Sequence, residues 1–212
     1  MSNTKYSDLL DDVLPSLAAD PSDPVTEHAI KRTVIEFCAS TWIWKHLPDP
    51  IDVVAGEAVY DLEPLPATDV ATVMSVSLDG YMLFAKTTDW LDANEPGWRS
   101  VTGAPRYFTQ VDTEQVILAQ VPASSSAGGL TATLALQPSQ NSTGFPKWIA
   151  NQYLYALADG AIARLMLIPG KPWTDLNTGA DKRSRFEAAM ANARNTAVAG
   201  LGRAPTRTAS QH

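Results

Sequence analysis

The sequence predicts an α+β fold: a helical bundle made from both chain termini, with an antiparallel β-sandwich or barrel-like module inserted between them. Three observations predict it. Apolar residues recur at steps of three and four near both ends of the 212-residue chain and at steps of two in between. An Asp79-Gly80 pair separates two alternating runs, as a two-residue hairpin does. Apolar residues make up 45% of the chain and charged residues 18%, enough for a sizeable core. On this reading residues 1–48 and 140–202 form the helical domain, 49–139 the β module, and 203–212 a flexible basic tail.

The first helix is short. Ser7 caps it, Leu9, Leu10, Val13 and Leu14 are its apolar residues, and Pro15 stops it. Residues 18–24 read as loop. Asp23 and Pro24 then make a cap and first-turn pair. The helix they open carries Ile30, Val34, Phe37, Cys38 and Thr41 on one stripe and ends near Trp42 and Trp44.

From Ile51 the period is two. Ala58, Tyr60 and Leu62 alternate with other residues, as do Met74, Val76 and Leu78. Tyr81 to Ala85 returns from the hairpin, and Thr88 caps a helical turn through Trp90 and Leu91. A second hairpin pattern runs from Arg106 to Val121 around Asp112-Thr113-Glu114. Ala123 to Gly129 has the composition of the most flexible loop. Leu130, Ala132, Leu134 and Leu136 alternate after it, which brings the expectation to roughly seven strands.

Helix returns after Phe145, with Pro146 in its first turn and Ile149, Tyr153, Leu157, Ala161 and Leu165 near one face. Pro169-Gly170-Lys171-Pro172 breaks it. The last helix, near Thr174 to Ala199, carries Phe186, Met190, Ala193, Ala197 and Leu201 as a narrow stripe, and Gly200 and Gly202 end it.

Charge is distributed unevenly. Residues 1–100 hold 17 acids and six bases, whereas residues 101–212 hold six acids and ten bases. The overall net charge of −7 has the wrong sign for a free nucleic-acid-binding domain. From Lys182 onward stand Lys182, Arg183, Arg185, Arg194, Arg203 and Arg207 with the single acid Glu187. No apolar run reaches the ~18 residues of a membrane span, and the acidic, polar first dozen residues lack the form of a signal peptide. Cys38 is the one cysteine, which excludes an intrachain disulfide and a cysteine zinc site.

The expectation for chemistry is no catalytic, cofactor or metal site. His28, His46 and His212 show no metal-ligand spacing. Gly170-Lys171 lacks the upstream glycine of a phosphate loop, since position 165 is Leu, and Pro172 replaces the required hydroxyl residue. Asp49, Asp52, Glu57, Asp61, Glu63 and Asp69 offer carboxylate pairs of the kind a glycosidase uses, but a solvated acidic surface offers them equally. Trp90 and Trp98 flank a Pro-Gly turn, where they serve either a sugar-stacking platform or a contact between subunits.

The order of pieces carries more than any one of them. Ile35-Glu36-Phe37-Cys38 with Trp42 is followed by Pro50-Ile51, Val53, Ala55-Gly56, Tyr60 and Leu62. Leu78-Asp79-Gly80, Trp90-Leu91, Gly103, Pro105 and Tyr107 come next, then Leu136-Gln137-Pro138, Tyr153 to Ala161 and a Pro-Gly-Lys-Pro-Trp turn. This string resembles the head-to-tail adaptor (connector, or head-completion) proteins of tailed bacteriophages over nearly the whole chain. The resemblance implies a structural virion protein at the head–tail junction, made in the host cytoplasm, with no enzymatic activity and no membrane contact. It implies a ring of twelve copies under the portal protein, joined to a tail or nozzle protein below, with double-stranded DNA passing through unread. Portal docking then falls to the basic C-terminal set of Lys182, Arg183, Arg185, Arg194, Arg203 and Arg207. Subunit or tail contacts fall to Trp90, Trp98 and Tyr107. The alternatives are a virion-associated cell-wall hydrolase using Asp49, Glu57 or Asp61, and a carbohydrate-binding tail module using Trp90 and Trp98.

Overall fold

The computed structural model describes residues 2–199; Leu201, Gly202, Arg203 and Arg207 therefore lie outside the described residues, as does the expected basic tail. Within them the fold is α+β, with five α-helices and a mixed β-sheet. Two compact units divide the chain: the described residues of Met1–Ile43 and Gln137–His212, and Trp44–Leu136.

In the first unit, β1 (Asn3–Lys5) leads into a 3-10 turn (Tyr6–Leu9), the single turn α1 (Leu10–Val13) and a second 3-10 turn (Leu14–Ser16). The opening helix is thus broken rather than continuous, and Pro15 lies within its last 3-10 turn. β1 was not expected. It pairs antiparallel with β12 (Gly144–Pro146), Asn3 facing Pro146 and Lys5 facing Gly144, a long-range pairing that no local pattern announces. Leu9 and Val13 are buried, and the Tyr6 ring stacks on Phe145 at 5.8 Å.

α2 (Asp23–Thr41) begins one residue earlier than expected, with Ser22 in the extended cap position and Pro24 in the first turn. Its expected stripe is buried: Ile30, Val34, Phe37, Cys38 and Thr41. α4 (Lys147–Met166) departs from helical geometry at Tyr153, and α5 (Leu176–Ala199) buries Phe186, Ala193 and Ala197. The three long helices meet at aromatic rings. Phe37 lies 4.9 Å from Tyr153 and 6.2 Å from Phe186. Gly160 permits the close approach, because a Cβ there would stand 2.5 Å from Thr33 Cγ2 and 2.9 Å from Phe186 Cδ2.

The second unit holds β2 (Lys45–His46), β3 (Ile51–Val53), β4 (Val59–Asp61), β5 (Thr68–Leu78), β6 (Tyr81–Ala85) and α3 (Thr88–Asn94). It continues with β7 (Thr102–Gly103), β8 (Tyr107–Thr109), β9 (Gln115–Ala119), β10 (Val121–Pro122) and β11 (Ser126–Pro138), the last running past the unit's end. The main sheet has eight strands, in the order β2-β11-β5-β6-β8-β9-β4 with β3 also on β11. The Asp79-Gly80 turn forms as read, with both residues at positive φ (50° and 82°), the requirement of a type I′ turn. Leu130, Ala132, Leu134 and Leu136 all point into the core.

Two expectations are corrected here. The sheet is not purely antiparallel: β6 and β8 run parallel, Phe84 facing Tyr107 and Ala85 facing Phe108. A parallel pair needs a crossover, and α3 lies in it, with Thr87 Oγ1 accepting the Trp90 N–H at 3.3 Å as its cap. The stretch read as the most flexible loop is also largely strand, since Ser126 faces Val53 in β11. Polar pairing holds it. Gly128 N–H donates to Asp52 Oδ1 at 2.6 Å, and the Ser125 hydroxyl accepts from Ala55 N–H at 2.9 Å.

Candidate functional site

The basic set on α5 is engaged within its own unit. Arg183 donates to both carboxylate oxygens of Glu36 on α2, at 2.7 and 3.1 Å, and its Nε to Glu187 at 2.7 Å. Arg164 of α4 donates to the same Glu36 carboxylate. Lys182 donates to Asp159 of α4 at 2.6 Å, and Arg185 pairs with Asp181 at 2.9 Å. The Arg194 guanidinium lies 4.0 Å from the centre of the Trp42 ring and donates to the Ser40 carbonyl at 3.1 Å. The Glu36, Ser40 and Asp159 contacts tie α5 to α2 and α4, whereas Arg183–Glu187 and Arg185–Asp181 lie within α5. Arg185 and Arg194 stay exposed, whereas Lys182 and Arg183 are half-buried.

Glu36 sits between two guanidinium groups on half-buried ground. Burial raises a carboxyl, but the Arg183 hydrogen bonds and the charges of Arg164 and Arg183 outweigh it and hold Glu36 below the ordinary carboxylate range. Arg183 is raised in turn, chiefly by its hydrogen bond to Glu36. Helix sequence anticipates only part of this network: Arg183–Glu187 and Asp181–Arg185 are spaced at i,i+4, and the Glu36 contacts are not local.

Trp90, Trp98 and Tyr107 come together in the β unit. Trp98 is buried, at 3% exposure, in a cluster with Leu91 and Ala119, against which Trp90, Tyr107 and Ile117 pack. Its indole N–H donates to Asp92 Oδ1 at 2.8 Å, and the Arg99 guanidinium stands 4.3 Å from its ring centre while also pairing with Asp92. Trp90 meets Tyr107 edge-on at 5.2 Å and is covered by Lys86 Nζ at 4.2 Å. A sugar platform needs an open ring face, and Trp98 does not present one. The half-buried Trp90 and Tyr107 keep some surface.

The acid-rich stretch is dispersed over the surface. Asp49, Asp52, Glu57, Asp61, Glu63 and Asp69 are all exposed. Asp52 holds the Gly128 N–H, and Asp61 accepts from Gln115 Nε2 at 2.8 Å, so these two brace strands. Among the described residues no three side chains of His, Cys, Asp or Glu are grouped to hold a metal ion. Burial pushes the Cys38 thiol up to about 12, far from the reactive thiolate range. No helix among the described residues is long and apolar enough to cross a membrane.

What the sequence reading missed is an apolar row on β6. Tyr81, Met82 and Phe84 are exposed at 80%, 68% and 63%. The signal was present as a strand richer in apolar residues than one buried face requires.

Against this geometry the family comparison is decisive. The model of the SU10 adaptor protein family matches residues 4–210. The chain belongs to that family. The match covers nearly all of it, both units included, and makes it a bacteriophage adaptor protein and so a component of the virion. The adaptor's business is contact with other head and tail proteins, which directs attention to its surfaces rather than to a reaction centre. Among curated proteins the comparison found no match.

Proposed function

We propose that this adaptor forms a ring, of twelve copies as its resemblance implies, between the portal protein and the next tail or nozzle protein, and lets DNA pass without reading it. The observation that carries this is the family match over residues 4–210. On this reading the helical elements from both chain ends act as a bundle that docks on the portal, and the β module faces neighbouring subunits or the tail. The protein does no catalysis.

Charge supports the passive channel. The chain as a whole carries a net charge of −7, an acidic balance that suits a channel repelling the DNA backbone instead of retaining it. Within the basic set, docking falls on the exposed Arg185 and Arg194 and on Arg203 and Arg207, because Lys182 and Arg183 are spent on Asp159 and Glu36. The protein made alone is expected to be a monomer or a weak oligomer, with the portal as template for the ring.

Copy number decides the reading. Quantitative mass spectrometry of purified particles should find the adaptor at the stoichiometry of a ring below the portal. Absence from particles defeats it. Dye release from purified cell wall tests the hydrolase alternative, and a robust activity abolished by an amide at Asp49, Glu57 or Asp61 would replace the structural reading.

A further inference from the structure

β6 is paired on both sides only in part. It pairs with β5 from Tyr81 to Leu83, and its pairing with β8 begins at Phe84. Beside the singly paired stretch lies an apolar groove of about 530 Å³, lined by Leu78, Met82, Phe84, Pro105 and Tyr107. Arg106 stands at its edge, exposed, and among the described residues it has no acidic side chain at ion-pair distance. Asp79, also at the rim, is engaged with the Ser126 hydroxyl.

The other end of β8 carries a matching piece. The turn from β8 to β9 presents Val111, 70% exposed, followed by Asp112 and Glu114. Asp112 Oδ1 accepts the N–H groups of Glu114 and Gln115 at 2.9 Å each, which fixes the turn and leaves the Glu114 side chain outward. Arg106 precedes β8 (Tyr107–Thr109) and Val111 follows it, and three extended residues alone span about 10 Å. Groove and turn therefore sit at opposite ends of one strand and cannot meet within a single copy.

We propose that the β8–β9 turn of one copy docks in the β6 groove of the next, Val111 entering between Met82 and Phe84 and Glu114 pairing with Arg106. Charge complementarity selects this occupant: Arg106, the groove's one cation and without an ion-pair partner among the described residues, meets an apolar tip with the Glu114 carboxylate beside it, while the Asp79 carboxylate at the rim is held by the Ser126 hydroxyl. Repeated head-to-tail, the contact makes a ring or a filament, and the length of the cross-linked products distinguishes this from a reciprocal two-fold pair, which closes as a dimer. One turn in one groove is a small contact beside the ~800 Å² per partner of a stable interface, so between free copies it forms transiently, and a disulfide traps it at high protein concentration. It rests on the ring reading for its setting in the particle.

The test uses the purified full-length protein. A Met82→Cys/Val111→Cys double variant, concentrated and mildly oxidised, should give a ladder of disulfide-linked dimers and longer chains, while each single variant stays monomeric. Cys38 is fully buried and does not compete. Adding Arg106→Glu should cut the ladder about tenfold, and adding Glu114→Arg to that should restore it. A double variant that stays monomeric overturns the proposal. So do a ladder indifferent to Arg106→Glu and a product from Met82→Cys alone, which would mean groove-to-groove pairing. If Met82→Cys fails to fold, Phe84→Cys takes its place. The measurement needs neither portal nor tail, so a protein missing from particles would defeat the ring reading and leave this result standing.

Discussion

Arg183 grips Glu36 with two hydrogen bonds, at 2.7 and 3.1 Å, across 147 residues of sequence. Arg164 shares the same carboxylate, so one acid on α2 joins α4 and α5. The three groups are only a quarter to a third exposed, and removing the shared acid leaves two guanidinium groups without their partner on poorly solvated ground.

Glu36→Gln is therefore expected to cost about 1–3 kcal/mol at neutral pH. The sign with pH follows from the depressed carboxyl. Its stabilisation is complete above the ordinary value of 4.5 and is lost as pH falls through the lower folded-state value. Thermal melts from pH 7 to pH 3 should show the two proteins converging at the acid end. A constant gap would contradict the pairing.

Gly160→Ala should destabilise the helical unit, although alanine favours a helix by ~1 kcal/mol. The new Cβ would collide with Thr33 Cγ2 and the Phe186 ring, and overpacking of this kind costs about 1–3 kcal/mol. Adding Thr33→Ser removes the nearest atom and should recover part of the loss in calorimetry. An unchanged Gly160→Ala midpoint would show that the helices are not in close contact there.

Trp98→Ala should cost about 3–5 kcal/mol by emptying its buried position. Trp98→Phe should cost about 1 kcal/mol, chiefly the hydrogen bond to Asp92. Chemical denaturation followed by near-ultraviolet dichroism measures both. A titration with cell-surface sugars should show no binding that depends on Trp98, and saturable binding lost in Trp98→Ala would revive the carbohydrate module.

Deleting Gly202 to His212 should leave the thermal midpoint nearly unchanged, since these residues include almost no large apolar side chain. It should weaken capture by portal rings through loss of Arg203 and Arg207, and added salt should weaken capture of the intact protein. Equal capture of both forms would end the docking role of the tail.

Local patterns determined a good part of this molecule. The stripe of Ile30, Val34 and Phe37, the Asp79-Gly80 turn and the alternation of Leu130 to Leu136 lie where side-chain periodicity put them, because each depends on neighbours a few residues away. The order of short motifs along the chain also identified the adaptor family. Only tertiary structure decided the rest. The β1–β12 pair, the parallel β6–β8 pair and the Glu36–Arg183 bridge each join distant segments, and many partners satisfy such groups equally well until packing chooses one. The same holds for exposure. Trp98 and Phe84 are both aromatic residues in the β unit, yet one is enclosed by Leu91 and Ala119 while the other faces solvent beside a strand edge left half paired. Hydrophobicity dictates that such side chains seek cover, and the fold alone settles which of them find it within one copy.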